Sequence, residues 1–208
     1  MKLAIFGGSG RTGRHLIEQA LAAGHHVTAL ARTIAKMPVH ERLTVVQGDV
    51  QDPSAVERTI AGAEAVISVL GPTSNEPKFE ISRGMQHILA AMQKHGVRRL
   101  IVSAGAGVGD PNDTPQLFNK AINLLIKRLS RNVYEDMVRV VEIVRASDRD
   151  WTVVRVPRLL DGPRTGNVKV GYVGKGIGPT INRADMADFM LRQLESDAYV
   201  RKAPAISN

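Results

Sequence analysis

Cysteine is absent from the 208 residues. That removes disulfides, thiol nucleophiles, iron–sulfur clusters and thiolate zinc sites together. A reducing, intracellular setting is compatible with this. Aromatic residues are only 4% of the chain, so a stacking platform for single-stranded nucleic acid is poorly supplied. No apolar run approaches the roughly 18 residues that span a bilayer. Residues 1–6 are too short for the apolar part of a signal peptide. These absences lead us to expect a cytoplasmic protein with neither a membrane nor a nucleic acid as partner. His25-His26, just before the second strand, lacks other ligands for a metal and reads as part of a turn, so no metal site is assigned.

Hydrophobic residues make up 43% and charged residues 23% of the chain, which is the composition of a folded domain and not of a disordered or fibrous chain. The net charge is +8. It reads either as attraction to polyanions or as a basic surface around a site for a phosphorylated ligand.

Apolar runs at residues 2–6, 27–31, 43–46, 65–70, 99–102 and 152–156 predict six strands. Helical spacing predicts helices at 14–23, 53–61, 81–95, 116–130, 133–146 and 184–195. Asp52 and Pro53 supply an N-cap and a first helical position. The strands are continuous apolar runs that alternate with helices, the pattern of an α/β, doubly wound parallel sheet covered on both faces. We expect one domain over residues 1–208. Residues 157–183 would form a short C-terminal substrate region, with an irregular or hairpin stretch at 162–179.

The first strand runs into Gly7-Gly8-Ser9-Gly10-Arg11-Thr12-Gly13. Glycines between a buried strand and an amphipathic helix allow a tight turn and close backbone approach, and leave helix amides facing a pyrophosphate. Ser9, Arg11 and Thr12 can add side-chain contacts. The plain alternative is an ordinary strand-to-helix turn. NAD-type folds often carry a carboxylate at the end of the second strand. This chain has Arg32 there, with Lys36 four residues on. Arginine suits a ribose 2′-phosphate, which favours NADP(H) over NAD(H); a surface arginine is the alternative. Asp49, after the third strand, suits the adenine amino group or merely shapes a turn.

These motifs resemble atypical short-chain dehydrogenase/reductases. The resemblance continues in Leu-Ala-Arg at 30–32, Gly-Asp-Val at 48–50, Ser-Val-Leu-Gly at 68–71 and Trp-Thr-Val-Val-Arg-Val-Pro at 151–157. Asp-Gly-Pro-Arg-Thr-Gly at 161–166 and Ile-Asn-Arg-Ala-Asp-Met-Ala at 181–187 extend it. Within that superfamily the chain is similar to the biliverdin reductase B/flavin reductase group and to NmrA-like NAD(P)-binding proteins. The resemblance implies a Rossmann-type fold, with cofactor contacts at Gly7, Ser9, Gly10, Arg11, Thr12, Gly13, Arg32, Lys36, Asp49 and Val50. It implies further contacts at Leu70, Gly71 and Ser103, with Val156 and Pro157 flanking a nicotinamide.

Such dehydrogenases usually carry Tyr-x-x-x-Lys, whose tyrosine donates a proton. Here Tyr134 is followed by Val138, Tyr172 by Gly176 and Tyr199 by Ala203. The position where the family often has its active serine is Gly105. Ser103 is left to orient the cofactor, and no catalytic residue is assigned. Alcohol–ketone chemistry is disfavoured. Hydride transfer to a conjugated acceptor, a flavin or a biliverdin-like tetrapyrrole, needs placement more than a dedicated acid. The acceptor side would be built by Tyr134, Met137 and Arg158, with Arg158 suited to a carboxylate or phosphate or else to a surface ion pair. The alternative is an NmrA-like sensor that binds NADP(H) without turnover. Residues 116–131 read as a core-packed helix with a basic face, or as a membrane-surface helix. Asp185 is expected to stabilise the start of the last helix.

Overall fold

In β1 (Lys2–Phe6) successive side chains enter opposite layers. Ala4 and Phe6 join one apolar cluster, and Leu3 and Ile5 join the other. A strand buried on both faces must be apolar at every position, which is why the sequence shows runs and not alternation. The computed structural model describes residues 1–71, 74–114 and 128–208.

The described strands after β1 are β2 (His26–Ala31), β3 (Leu43–Gln47), β4 (Ala65–Ser68), β5 (Arg99–Gly105) and β6 (Asp150–Val156). They continue with β7 (Arg158–Leu160), β8 (Lys169–Gly171), β9 (Thr180–Asn182) and β10 (Ala205–Ser207). Eight of the ten described strands form one sheet in the order β3-β2-β1-β4-β5-β6-β10-β8, while β7 and β9 pair separately. Among the described strands only β8 runs antiparallel, against β10. Two layers of helices cover the sheet. One holds α2 (Pro53–Ile60), α3 (Glu80–Lys94) and α4 (Arg131–Ala146). The other holds α1 (Arg11–Ala22) and α5 (Arg183–Arg192). This is the expected Rossmann-type sheet. Its order reverses between β1 and β4, so a crevice opens beyond their carboxyl ends.

Local chemistry sets the boundaries. Asp52 caps α2, its carboxylate accepting the Ser54 amide at 2.9 Å, with Pro53 next. α1 starts at Arg11, earlier than its apolar spacing predicts, because Arg11, Thr12 and Gly13 carry no large apolar side chain. Glu80 likewise opens α3 one residue early.

Strands β7, β9 and β10 were not anticipated: three residues are too few to show a period. The helix expected at 116–130 lies, up to residue 127, outside the described residues. Asp185 lies in the first turn of α5, as expected, and has a further role there. Its buried carboxylate accepts the Thr165 and Gly166 amides, both at 2.8 Å, and takes hydrogen bonds from the Thr165 hydroxyl and the Asn208 amide. It thus also anchors the loop after β7. No described helix is long and apolar enough to cross a membrane.

Candidate functional site

The turn after β1 is built by close contacts that only glycine permits. Gly7 has φ +83°, and a Cβ there would stand 2.8 Å from the Val69 backbone. A Cβ on Gly13 would stand 2.1 Å from the Gly7 carbonyl oxygen. The Gly10 amide donates to that same carbonyl at 3.0 Å. Gly10 is also the N-cap of α1 and brings no capping side chain. The first-turn amides of α1 therefore have no side-chain acceptor, and the positive end of the helix dipole is left for an anion.

Beside this turn lies a groove at the β1/β4 reversal. It is lined by Gly7, Ser9 and Gly10, by Arg32, Asp49 and Val50, and by Leu70 and Gly71. All eight are sequence-predicted cofactor residues. The lining also includes Leu30, Ala31, Gly48, Val69, Glu80 and Ile81, which sequence reasoning missed. Two glycines were the available signal for some of these. A Cβ on Gly48 would stand 2.5 Å from Ala55, and one on Gly84 would stand 2.5 Å from Val50. Both bring a helix hard against the groove wall.

At the outer end, Arg32 Nε is 4.0 Å from Asp49 Oδ2, with both side chains largely exposed. A pair this long and this wet is worth about 0–1 kcal/mol, so the guanidinium is available to a stronger anionic partner. Asp49 also accepts the Gln51 amide at 2.9 Å, which is the turn-shaping role weighed for it. Lys36 is exposed on the short 3-10 turn Ile34–Lys36 and does not line the groove. Arg11 pairs at 3.2 Å with Asp161, and Asp161 also takes Arg183 at 2.7 Å.

The remaining predicted residues lie outside the groove lining. Thr12 and Gly13 are buried in the first turn of α1. Ser103 pairs in register with Val154 near the carboxyl end of β5, and Val156 ends β6 opposite Gly105. Pro157 and Arg158 follow at once. Arg158 is exposed and has no hydrogen-bonding or ionic side-chain partner among the described residues. Tyr134 is half-buried on α4, whereas Met137 belongs to the apolar core beneath.

Between them on α4 lies a residue that no local pattern marks. The buried carboxylate of Asp136 accepts the Ile81 and Ser82 amides at 3.1 and 3.0 Å. It caps α3 from another helix, because α3's own N-cap, Phe79 at φ +49°, has no acceptor side chain. This holds the groove wall at Glu80 and Ile81 in place.

Ionic partners displace three carboxylates elsewhere in the fold. Asp150 is held below the usual carboxylate range by its bonds with Arg98, Asp148 by Arg149, and Glu57 by Lys94. The cradle, the uncapped helix start and the cation at the end of β2 suit a phosphorylated dinucleotide.

Comparison with known proteins agrees. A family described as NAD(P)H-binding matches residues 7–197. The 3-beta-hydroxysteroid dehydrogenase of Mycolicibacterium neoaurum is 28% identical over 119 residues, covering 51% of this chain and 32% of that protein. The photosystem II assembly factor Ycf39 of Synechocystis is 23% identical over 215 residues, covering 97% of this chain and 61% of that protein. The chain thus spans less than two thirds of either relative. A short-chain dehydrogenase/reductase from Veillonella parvula, solved in complex with NADP, shares the fold with a TM-score of 0.84. It is 20% identical, with 100% of this chain and 94% of that one covered.

Proposed function

The chain belongs to the NAD(P)H-binding family, and from that premise we propose that it is an NADPH-dependent reductase of a conjugated acceptor such as a flavin or biliverdin-like tetrapyrrole. The observation that carries this is the groove itself, a glycine cradle closed at its outer end by Arg32 and by no carboxylate from β2.

In this reading the first-turn amides of α1, with Ser9, hold the pyrophosphate. Arg32 moves from Asp49 to the 2′-phosphate, where a guanidinium fork gains more than from a 4.0 Å pair. Val156 and Pro157, at the end of β6, flank the nicotinamide, and Ser103 orients it. The bound dihydronicotinamide supplies a hydride. Arg158, without an ionic partner among the described residues, takes the acceptor's phosphate or carboxylate. The proton that completes reduction comes from water, because no tyrosine stands four residues before a lysine. The partner is thus a small-molecule acceptor.

The missing tyrosine–lysine pair suits a second reading as well, an NADP(H)-binding sensor without turnover. NADPH oxidation measured with flavin mononucleotide, riboflavin, biliverdin and a simple quinone separates the two. Saturable turnover supports the reductase. Tight NADPH binding with no turnover of any acceptor overturns it in favour of the sensor.

A further inference from the structure

An arginine interrupts the apolar run of β6, and its side chain is fully buried. Arg155 donates from Nη1 and Nη2 to the two carboxylate oxygens of Asp113, at 2.6 and 2.8 Å, and from Nε to the Ala203 carbonyl at 2.8 Å. Asp113 also accepts the backbone amides of Asp110, at 2.8 Å, and Val173, at 2.9 Å. One carboxylate therefore ties the loop that leaves β5 to the turn that follows β8. The Thr114 amide closes the junction by donating to the Val173 carbonyl at 2.9 Å. Gly174, at φ +86°, lies so close that a Cβ would stand 2.0 Å from the Thr114 carbonyl oxygen.

A buried ion pair gains little stability over an apolar pair of the same volume, because desolvation offsets the attraction. What the planar fork adds is direction: it fixes the angle at which the carboxylate, and the loop carrying it, meets β6. The location gives that direction a use. Ligands of parallel sheets lie beyond the carboxyl ends of the strands. The groove at β1 and β4 takes the dinucleotide's phosphates, which leaves the ends of β5 and β6 for the nicotinamide and the acceptor stacked against it. Arg155 immediately precedes Val156, Pro157 and Arg158, and Asp113 belongs to the loop that begins just past Gly105.

We infer that Arg155 and Asp113 are positioning residues that fix the acceptor-side wall, the loop at 106–114 and the turn at 172–176, independently of the cofactor groove. This rests on the reductase reading. Two variants probe the wall from opposite sides. Asp113→Asn places an amide donor against the guanidinium. Gly174→Ala forces the turn away from Thr114 while keeping both Arg155 and Asp113 in the chain, so it serves if Asp113→Asn does not fold.

The measurements are the KM for flavin mononucleotide, the Kd for NADPH, and the fluorescence of bound NADPH, which reports the shielding of the nicotinamide. The inference expects either variant to raise the acceptor KM by about tenfold or more with NADPH affinity unchanged. An unchanged acceptor KM, or an equal loss of NADPH affinity, overturns it. If the unmodified protein turns over no acceptor, it is the reductase reading that fails. The wall is then read from fluorescence alone: loss of the bound-NADPH signal in the variants at unchanged affinity supports it, and an unchanged signal overturns it.

Discussion

At the residue scale the proposed function concentrates on two arginines that differ in their surroundings. Arg32 has a weak partner in Asp49 and lines the groove. Replacing it by Glu removes a charge-assisted contact and sets a carboxylate where a 2′-phosphate is expected. A charge-assisted hydrogen bond is worth about 1.5–3 kcal/mol, so Arg32→Glu is expected to weaken NADPH binding by roughly one to two powers of ten. NADH binding should change little, and titration of both cofactors checks this; equal losses would refute the assignment. Arg158 has no ionic partner to release among the described residues. Arg158→Ala is expected to raise the KM for flavin mononucleotide and to spare neutral riboflavin, as parallel steady-state assays would show. Groove residues of this kind were legible in the sequence because glycine spacing and a cation after a strand are local signals. Asp136 was not. It bonds to amides 54 and 55 residues away, and nothing local marks a carboxylate that caps another helix. Arg155 did leave a mark, since a charge inside a strand buried on both faces demands a partner, but the sequence does not say which carboxylate answers it.

At the element scale, the start of α3 depends on α4. Phe79 ends the preceding loop in a left-handed conformation, with Arg139 4.0 Å above its ring, and the Ile81 and Ser82 amides in the first turn of α3 donate to Asp136. Asp136→Ala leaves both buried amides without that partner, at about 1–3 kcal/mol each. The expected result is a lower urea midpoint, together with weaker NADPH binding, since Glu80 and Ile81 line the groove. A midpoint unchanged from the parent protein would show that α3 caps itself some other way. Long elements were readable from their periods and the caps at their ends. Strands β7, β9 and β10 were not, because pairing with distant strands defines them: β10 lies between β6 and β8, and β7 meets β9 across twenty-odd residues. Asp185 shows the same limit. Its place in the first turn of α5 suggested a helix-dipole role, while its bonds go to the loop at 165–166.

At the scale of the whole molecule, charge sets the response to pH. Glu57, Asp148 and Asp150 are held below their ordinary range by Lys94, Arg149 and Arg98. Their contribution is complete above the unfolded-state carboxylate value, about 4, and is lost as pH falls through the lower folded values. His25 is pushed below its usual 6.5, first by burial and then by the neighbouring N-terminus. The folded state thus prefers it neutral, and acid favours unfolding through this group as well. Every one of these shifts has the same sign. Urea midpoints are expected to decline as pH drops below about 6.5 and more steeply below about 4. Asp150→Asn should flatten the acid limb. A midpoint that rises on acidification would contradict this electrostatic picture.

The doubly wound sheet follows from the order of apolar runs. The acceptor does not, because the ends of β5 and β6 are closed by long-range contacts that no local pattern encodes. The most direct test of the proposed function is a single turnover without oxygen: protein saturated with NADPH is mixed with flavin mononucleotide, and both absorbances are followed. Hydride transfer predicts that NADPH and oxidised flavin disappear together, one for one, at a rate that saturates with flavin concentration. NADPH that stays bound and reduced while the flavin stays oxidised, with the same result for biliverdin, would contradict a reductase and leave a cofactor-binding sensor in its place.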